Sequence, residues 1–271
     1  MFLAFRKSDC FGVGFVANSD LMDQEAAFKS GAISPVATVR EAWELIKPRY
    51  PLFVGLIFIQ FVIWLLASFV PFIGSVLSNI AASCLTCGYF MVVFALIRSE
   101  KIQIGMIFEG FSRFVPVVVF MLLQMIPLMI AVSIAIAMGL VSEELAANAG
   151  SEMTPEQLQE IVSKIGAPMI LMYVLGWLVS MVVKALLYFA VPLVADRNVA
   201  ARPAIAYSFA AFRKNIGGVV GLMVLQALLG IAGALFFGIG LILVAPVIYS
   251  AEALAYVRVF GLSSGIAEAG E

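Results

Sequence analysis

Six long apolar runs are the feature that most constrains what this chain can fold into. They cover about 51–73, 76–97, 115–141, 167–195, 216–238 and 241–258. A bilayer core about 30 Å thick is crossed by about 20 helical residues, so each run is long enough to span it. Hydrophobic residues make up 63% of the chain, against roughly 45–50% in soluble domains. The sequence therefore predicts an all-α integral membrane protein with six transmembrane helices.

These runs divide the chain into three parts. We predict a flexible N-terminal leader over 1–33, a six-span membrane domain over 34–260 and a short C-terminal tail over 261–271. The leader lacks the unbroken apolar stretch of a signal peptide. Met22 opens a more ordinary start than Met1, and the sequence leaves open which of the two begins translation.

An amphipathic segment precedes each pair of apolar runs, at about 36–47, 102–114 and 199–213. Apolar residues recur at helical spacing in each segment with polar residues between them, which is typical of helices that lie at a membrane surface. A further short helix is predicted at about 155–164, because Thr154-Pro155-Glu156-Gln157 has the form of a capping box with Pro at the first helical position.

The three pairs also predict a three-fold repeat of an amphipathic helix followed by a helical hairpin. Arg49 precedes Gln60 by eleven residues, and Arg113 precedes Gln124 by the same distance. Units of two spans all share one orientation, so their pseudosymmetry axis would lie along the membrane normal. The alternative is that apolar stretches match one another by chance.

Charge is segregated along the chain. Of the 16 Lys and Arg residues, all but Lys164 and Lys184 fall on one side of the six predicted spans, and the loop 142–165 on the other side is rich in Glu. The positive-inside rule then places both termini in the cytoplasm. The net charge of −1 provides no overall basic field for nucleic acid.

Several kinds of catalytic chemistry have no residues to support them. The chain has no histidine, which excludes Ser-His-Asp triads and imidazole metal ligands. Cys84 and Cys87 form a C-x-x-C within an apolar run, but without a second pair they cannot complete a tetrahedral metal site. No H-E-x-x-H motif occurs, and no G-x-S-x-G lies inside a predicted span. We therefore predict a non-enzymatic protein without a metal site or cofactor.

Five polar residues within the predicted spans are candidates for binding or transport. They are Gln60, Gln124, Gln226, Lys184 and Glu252. The three glutamines lie on the first helix of each pair at similar depths, and could line a polar site or form hydrogen bonds between helices. The two charged residues are costly within a membrane, so they mark either a functional site or a structural pair.

One segment carries a resemblance to known proteins. Residues 189–197 end a span with Pro192 and the pair Asp196-Arg197, and Ala206, Ser208 and Asn215 follow in an amphipathic helix. The pattern resembles uncharacterised six-span bacterial inner-membrane proteins, including relatives of the membrane domain attached to glycerophosphoryl diester phosphodiesterases. The resemblance implies a multi-pass protein of the bacterial inner membrane; it brings no catalytic domain and no established activity.

Two classes of function are compatible with these features. The first is a structural, lipid-organising or partner-binding membrane protein, with membrane lipids and a membrane-protein partner or a second copy of the chain as partners. The alternative is a small-molecule or ion transporter or channel that uses the intramembrane polar residues. The two differ in where those residues point: convergence on one hydrated cavity favours transport, and dry contacts with single neighbouring helices favour a structural role.

Overall fold

The computed structural model describes residues 28–71, 73–137, 155–236 and 239–263, and within these ranges the side chains of 135–137 and 155–169 are not described. The described part of the chain is mostly helical and contains no strand. It also contains six helices that are long and apolar enough to cross a membrane. The prediction of an all-α protein with six membrane-spanning helices is therefore confirmed.

The described helices are numbered α1 to α9 in chain order. They are α1 (Pro35–Ile46), α2 (Tyr50–Ser68), α3 (Gly74–Ile97), α4 (Phe114–Ala137), α5 (Pro155–Leu186), α6 (Ala190–Arg197), α7 (Ala201–Lys214), α8 (Ile216–Ala234) and α9 (Ile239–Phe260). Two 3₁₀ helices, Lys47–Arg49 and Ile104–Arg113, precede α2 and α4. Apart from the broken fourth span, the long helices follow the predicted apolar runs to within a few residues, because hydrophobic length alone fixes where a helix can cross a bilayer.

The three amphipathic segments all form helical elements, but not of one type. The first and third are the α-helices α1 and α7, whereas the second is the 3₁₀ helix Ile104–Arg113. The short helix predicted at about 155–164 is not separate, because the chain continues as one helix from Pro155 to Leu186. The three-fold repeat is not confirmed and stays a prediction.

The span predicted as one run over 167–195 is broken. Helix α5 ends at Leu186 and α6 begins at Ala190. Pro192 favours a break here, because a proline ring collides with the carbonyl group four residues earlier in a regular helix. Ser208 of α7 occupies the gap: its hydroxyl donates to Leu186 O at 2.7 Å and accepts a hydrogen bond from Phe189 N at 3.1 Å.

The end of the predicted leader is packed against the helices, and residues 1–27 lie outside the described part. Phe28 and Ile33 are buried. The side-chain amide of Asn215 binds this segment: its oxygen accepts a hydrogen bond from Ala32 N at 3.1 Å, and its nitrogen donates one to Lys29 O at 3.1 Å. Residues 28–33 of the predicted leader therefore pack against the helix bundle.

One end of the helix bundle is held together by charged groups, and we call it the basic face. The carboxylate of Asp196 is fully buried there, paired with Arg98 and bonded to Tyr256 Oη at 2.8 Å. Ser263 donates to the same carboxylate from its hydroxyl at 2.8 Å and its backbone N at 3.0 Å. Because these groups come from the ends of α3, α6 and α9, the network fastens three spans at one level.

Candidate functional site

A cavity of about 400 Å³ lies among α3, α4, α5 and α9. Its lining residues with polar side-chain atoms are Asn79, Ser83, Thr86, Gln124, Trp177, Ser180, Lys184, Tyr249 and Glu252. The size falls within the roughly 300–1,000 Å³ of small-molecule sites. Polar groups at this density are unusual in a membrane interior, because each must find a partner there.

The wall contributed by α3 is a polar stripe. Asn79, Ser83 and Thr86 recur at intervals of four and three residues, so they lie on one face of the helix. Each satisfies a donor locally: for example, Ser83 donates to Asn79 O at 2.8 Å and Thr86 to Ala82 O at 2.9 Å. Their remaining hydrogen-bonding capacity faces the cavity or the neighbouring helices.

The polar residues of the cavity lie at mid-membrane depth. Glu252 precedes the end of α9 at Phe260 by eight residues, which is about 12 Å at 1.5 Å per residue. Gln124 follows the start of α4 at Phe114 by ten residues, or about 15 Å on the same scale. Lys184 is exposed, whereas Gln124 and Glu252 are half-buried. In a hydrocarbon core of about 30 Å, these groups are near the middle.

Lys184 and Glu252 act on each other electrostatically but do not form a direct ion pair. None of the ion pairs within the described part of the chain joins them. The buried carboxylate of Asp196 at the basic face, by contrast, is paired with Arg98. An unpaired charge at the centre of a span costs about 2.5–3.5 kcal/mol. The two charges therefore face a space that a polar molecule could occupy.

The other two predicted glutamines lie elsewhere. Gln60 donates to Thr86 Oγ1 at 2.9 Å and Ala82 O at 3.2 Å, and so joins α2 to α3. Gln226 donates to Tyr188 Oη at 3.2 Å and Ile248 O at 3.1 Å, and so joins α8 to the α5–α6 break and to α9. Both are buried. The structure thus brings together Gln124, Lys184 and Glu252 but places Gln60 and Gln226 in helix–helix contacts.

Aromatic side chains fill the space between the cavity and the basic face. Tyr256 packs against Phe94 and Phe260 with ring centroids 5.4 Å and 5.2 Å apart, and Phe189 lies 5.7 Å from Phe260. Below this cluster is the Asp196 network. In the opposite direction the α3 stripe reaches Asn79, only five residues from the start of α3. The cavity is therefore sealed on the basic side, and its polar wall extends toward the other face.

Two further cavities are almost wholly apolar. One, of about 240 Å³, lies beside Gln60 and is lined by side chains such as Trp64 and Leu241. The other, of about 440 Å³, lies between α4, α5 and α7 beside Phe209. Such spaces suit lipid chains, whereas the α3–α4–α5–α9 cavity alone of the three contains charged groups.

Two features of the site were missed in the sequence. The α3 stripe gives a detectable signal, since small polar residues recur at helical spacing within an apolar run. Ser180 gives no such signal, because a single serine is common in membrane helices and usually bonds to its own helix; here it donates to Gly176 O at 2.8 Å.

The described residues contain no group of three or more His, Cys, Asp or Glu side chains that could hold a metal ion. Cys84 and Cys87 are buried and carry free thiols. Both lie on α3 where it packs against the 3₁₀ helix Ile104–Arg113, and the backbone of Cys84 is close to Gly110. Their surroundings are those of small packing residues.

No protein-family model matches this chain, and no curated protein or solved structure was found to match it. The resemblance to the six-span bacterial membrane proteins therefore stays a prediction.

Proposed function

We propose that this chain is a non-enzymatic, multi-pass protein of a bacterial inner membrane that binds and transports a small polar molecule through the α3–α4–α5–α9 cavity. The observation that carries the proposal is the shared position of Gln124, Lys184 and Glu252 in that cavity. This proposal is the transport alternative that the sequence predicted, and it retains three of the five candidate residues. Charged groups facing a space at mid-membrane depth are typical of solute and ion pathways.

The second candidate is a structural, lipid-organising or partner-binding protein. The contacts of Gln60 and Gln226 favour it, because each amide bonds between neighbouring helices as in an ordinary helix bundle. These two residues leave the transport proposal intact, since they lie outside the polar cavity. The deciding difference between the candidates is whether the cavity contains water.

Cysteine labelling tests that difference directly. Ser180→Cys places a thiol on the cavity wall, and Val179→Cys places one on the adjacent residue, whose side chain is 52% exposed on the outside of the bundle. Gln226→Cys provides a buried helix–helix position. The purified proteins in nanodiscs are treated with a charged, membrane-impermeant methanethiosulfonate, which reacts with thiolates in water.

We expect Ser180→Cys to react at least about tenfold faster than the other two variants, because a thiol ionises readily only where water reaches it. The parent chain measures the background from its native cysteines, of which Cys84 and Cys87 are buried. Equal, slow labelling of all three variants would mean a dry cavity and would favour the structural candidate.

The proposed orientation places both termini in the cytoplasm. The basic face carries α1, α7, Arg98 and Arg258, and basic residues concentrate on the cytoplasmic side of inner-membrane proteins. A reporter that is active only in the periplasm, fused after the last residue, should be inactive. An active fusion would reverse the assignment.

A further inference from the structure

The two charges of the cavity have opposite signs and come from different helices. Lys184 lies near the end of α5, and Glu252 lies in α9. Within the residues that the structure describes, neither side chain forms a hydrogen bond or an ion pair, in contrast to Asp196 with Arg98 and Arg258 with Glu41. The electrostatic interaction between the two is therefore a long-range one.

A ligand that satisfied only one of these charges would leave the other without a partner. A lone anion would pair with Lys184 and repel Glu252, and a lone cation would do the reverse. A molecule with one positive and one negative group pairs with both and adds no net charge to the membrane interior. Gln124 can add hydrogen bonds as donor or acceptor.

From these charges, and resting on the proposed function, we infer that the ligand is a zwitterion with an ammonium group and a phosphate or carboxylate group. The anionic group lies against Lys184 and the ammonium group against Glu252. A free zwitterionic solute and the head group of a zwitterionic phospholipid share this chemistry. The cavity volume of about 400 Å³ accommodates a group much larger than a single ion.

The test compares three soluble probes on the purified full chain in phosphatidylglycerol nanodiscs. O-phosphoethanolamine carries both charges, glycerol 3-phosphate only the phosphate, and ethanolamine only the ammonium. We expect O-phosphoethanolamine to bind at least about tenfold more tightly than either of the others in calorimetry, because each charge-assisted hydrogen bond contributes at least that factor.

The variants separate the two ends of the ligand. Glu252→Gln should remove the preference over glycerol 3-phosphate, and Lys184→Gln the preference over ethanolamine. Lys184→Arg retains the charge and should retain both preferences. Glu109→Gln, an exposed residue outside the cavity, is the matched control and should behave as the parent. Elution volume and helical circular dichroism confirm that each variant is folded.

A second arm of the test determines whether the ligand is a phospholipid head group. The protein is reconstituted with equal phosphatidylethanolamine and phosphatidylglycerol, and native mass spectrometry measures the retained lipid. Retention of phosphatidylethanolamine that disappears in Glu252→Gln, without binding of the soluble probe, supports the inference and assigns it to a head group. Binding of soluble O-phosphoethanolamine with the expected variant pattern supports a free solute.

Absence of zwitterion binding in both arms, or a preference that survives Glu252→Gln and Lys184→Gln, would overturn the inference. That result is distinct from failure of the proposed function, which is decided by labelling of Ser180→Cys. A hydrated cavity without zwitterion selectivity would leave transport standing with another ligand class.

Discussion

At the residue scale, two glycines permit a close backbone contact between α3 and the 3₁₀ helix Ile104–Arg113. A Cβ atom on Gly88 of α3 would overlap the carbonyl oxygen of Ile107, and one on Gly110 would overlap that of Cys84. Backbone atoms on both sides cannot rotate away as a side chain can. The 3₁₀ helix Ile104–Arg113 therefore lies against α3 only because both positions lack a side chain.

Gly110→Ala should lower the stability of the protein by about 1–3 kcal/mol or more, the range for overpacked interiors. Gly105→Ala is the matched control, because it lies in the same 3₁₀ helix and a Cβ there meets nothing within 4 Å. Thermal unfolding of the purified variants measures the difference. Equal melting temperatures for the two would contradict the packing described.

The polar side chains within the spans show which part of the site could be predicted from the sequence and which part could not. Gln60, Gln124 and Gln226 look alike, since each is a lone amide in an apolar run. Which of them faces the α3–α4–α5–α9 cavity depends on the rotation of its helix about its own axis. Tertiary packing sets that rotation, and almost uniformly apolar helices carry little information about it. Lys184 and Glu252 could be identified from the sequence, because a charged residue within a span is unusual.

At the element scale, hydropathy predicted the spans but not the break in the fourth. Pro127 and Pro246 lie inside continuous helices α4 and α9, whereas α5 ends before Pro192. Local sequence does not distinguish the three prolines. The difference lies in Ser208, which arrives from α7 and satisfies the backbone groups that the break exposes.

Ser208→Ala should destabilise the protein by about 1–3 kcal/mol, because it leaves a buried backbone N–H without a partner. The effect should be local, with faster hydrogen exchange at Phe189 than at residues elsewhere in α5 and α6. Ser68→Ala is the control, since Ser68 is exposed and bonds only to Trp64 O of its own helix. Unchanged exchange at Phe189 would show that Ser208 does not stabilise the break.

At the scale of the whole molecule, the two faces of the bundle differ. The basic side is fastened by the Asp196 network and closed by aromatic rings. Toward the other side a polar wall runs from Thr86 to Asn79. The sequence predicted the charge asymmetry, because basic residues are easily counted. The sealed end could not be predicted, because its contacts join segments as far apart as Arg98 and Ser263.

Transport through the α3–α4–α5–α9 cavity requires Lys184 and Glu252 to face water or a ligand rather than each other. The decisive measurement is an experimental structure of the full chain in a lipid nanodisc, at a resolution that resolves ordered water. We expect Lys184 Nζ and the Glu252 carboxylate to lie more than about 4 Å apart, the outer limit of an ion pair, with water or ligand density in contact with both. A collapsed, dry cavity with the two groups in a direct ion pair would contradict this expectation.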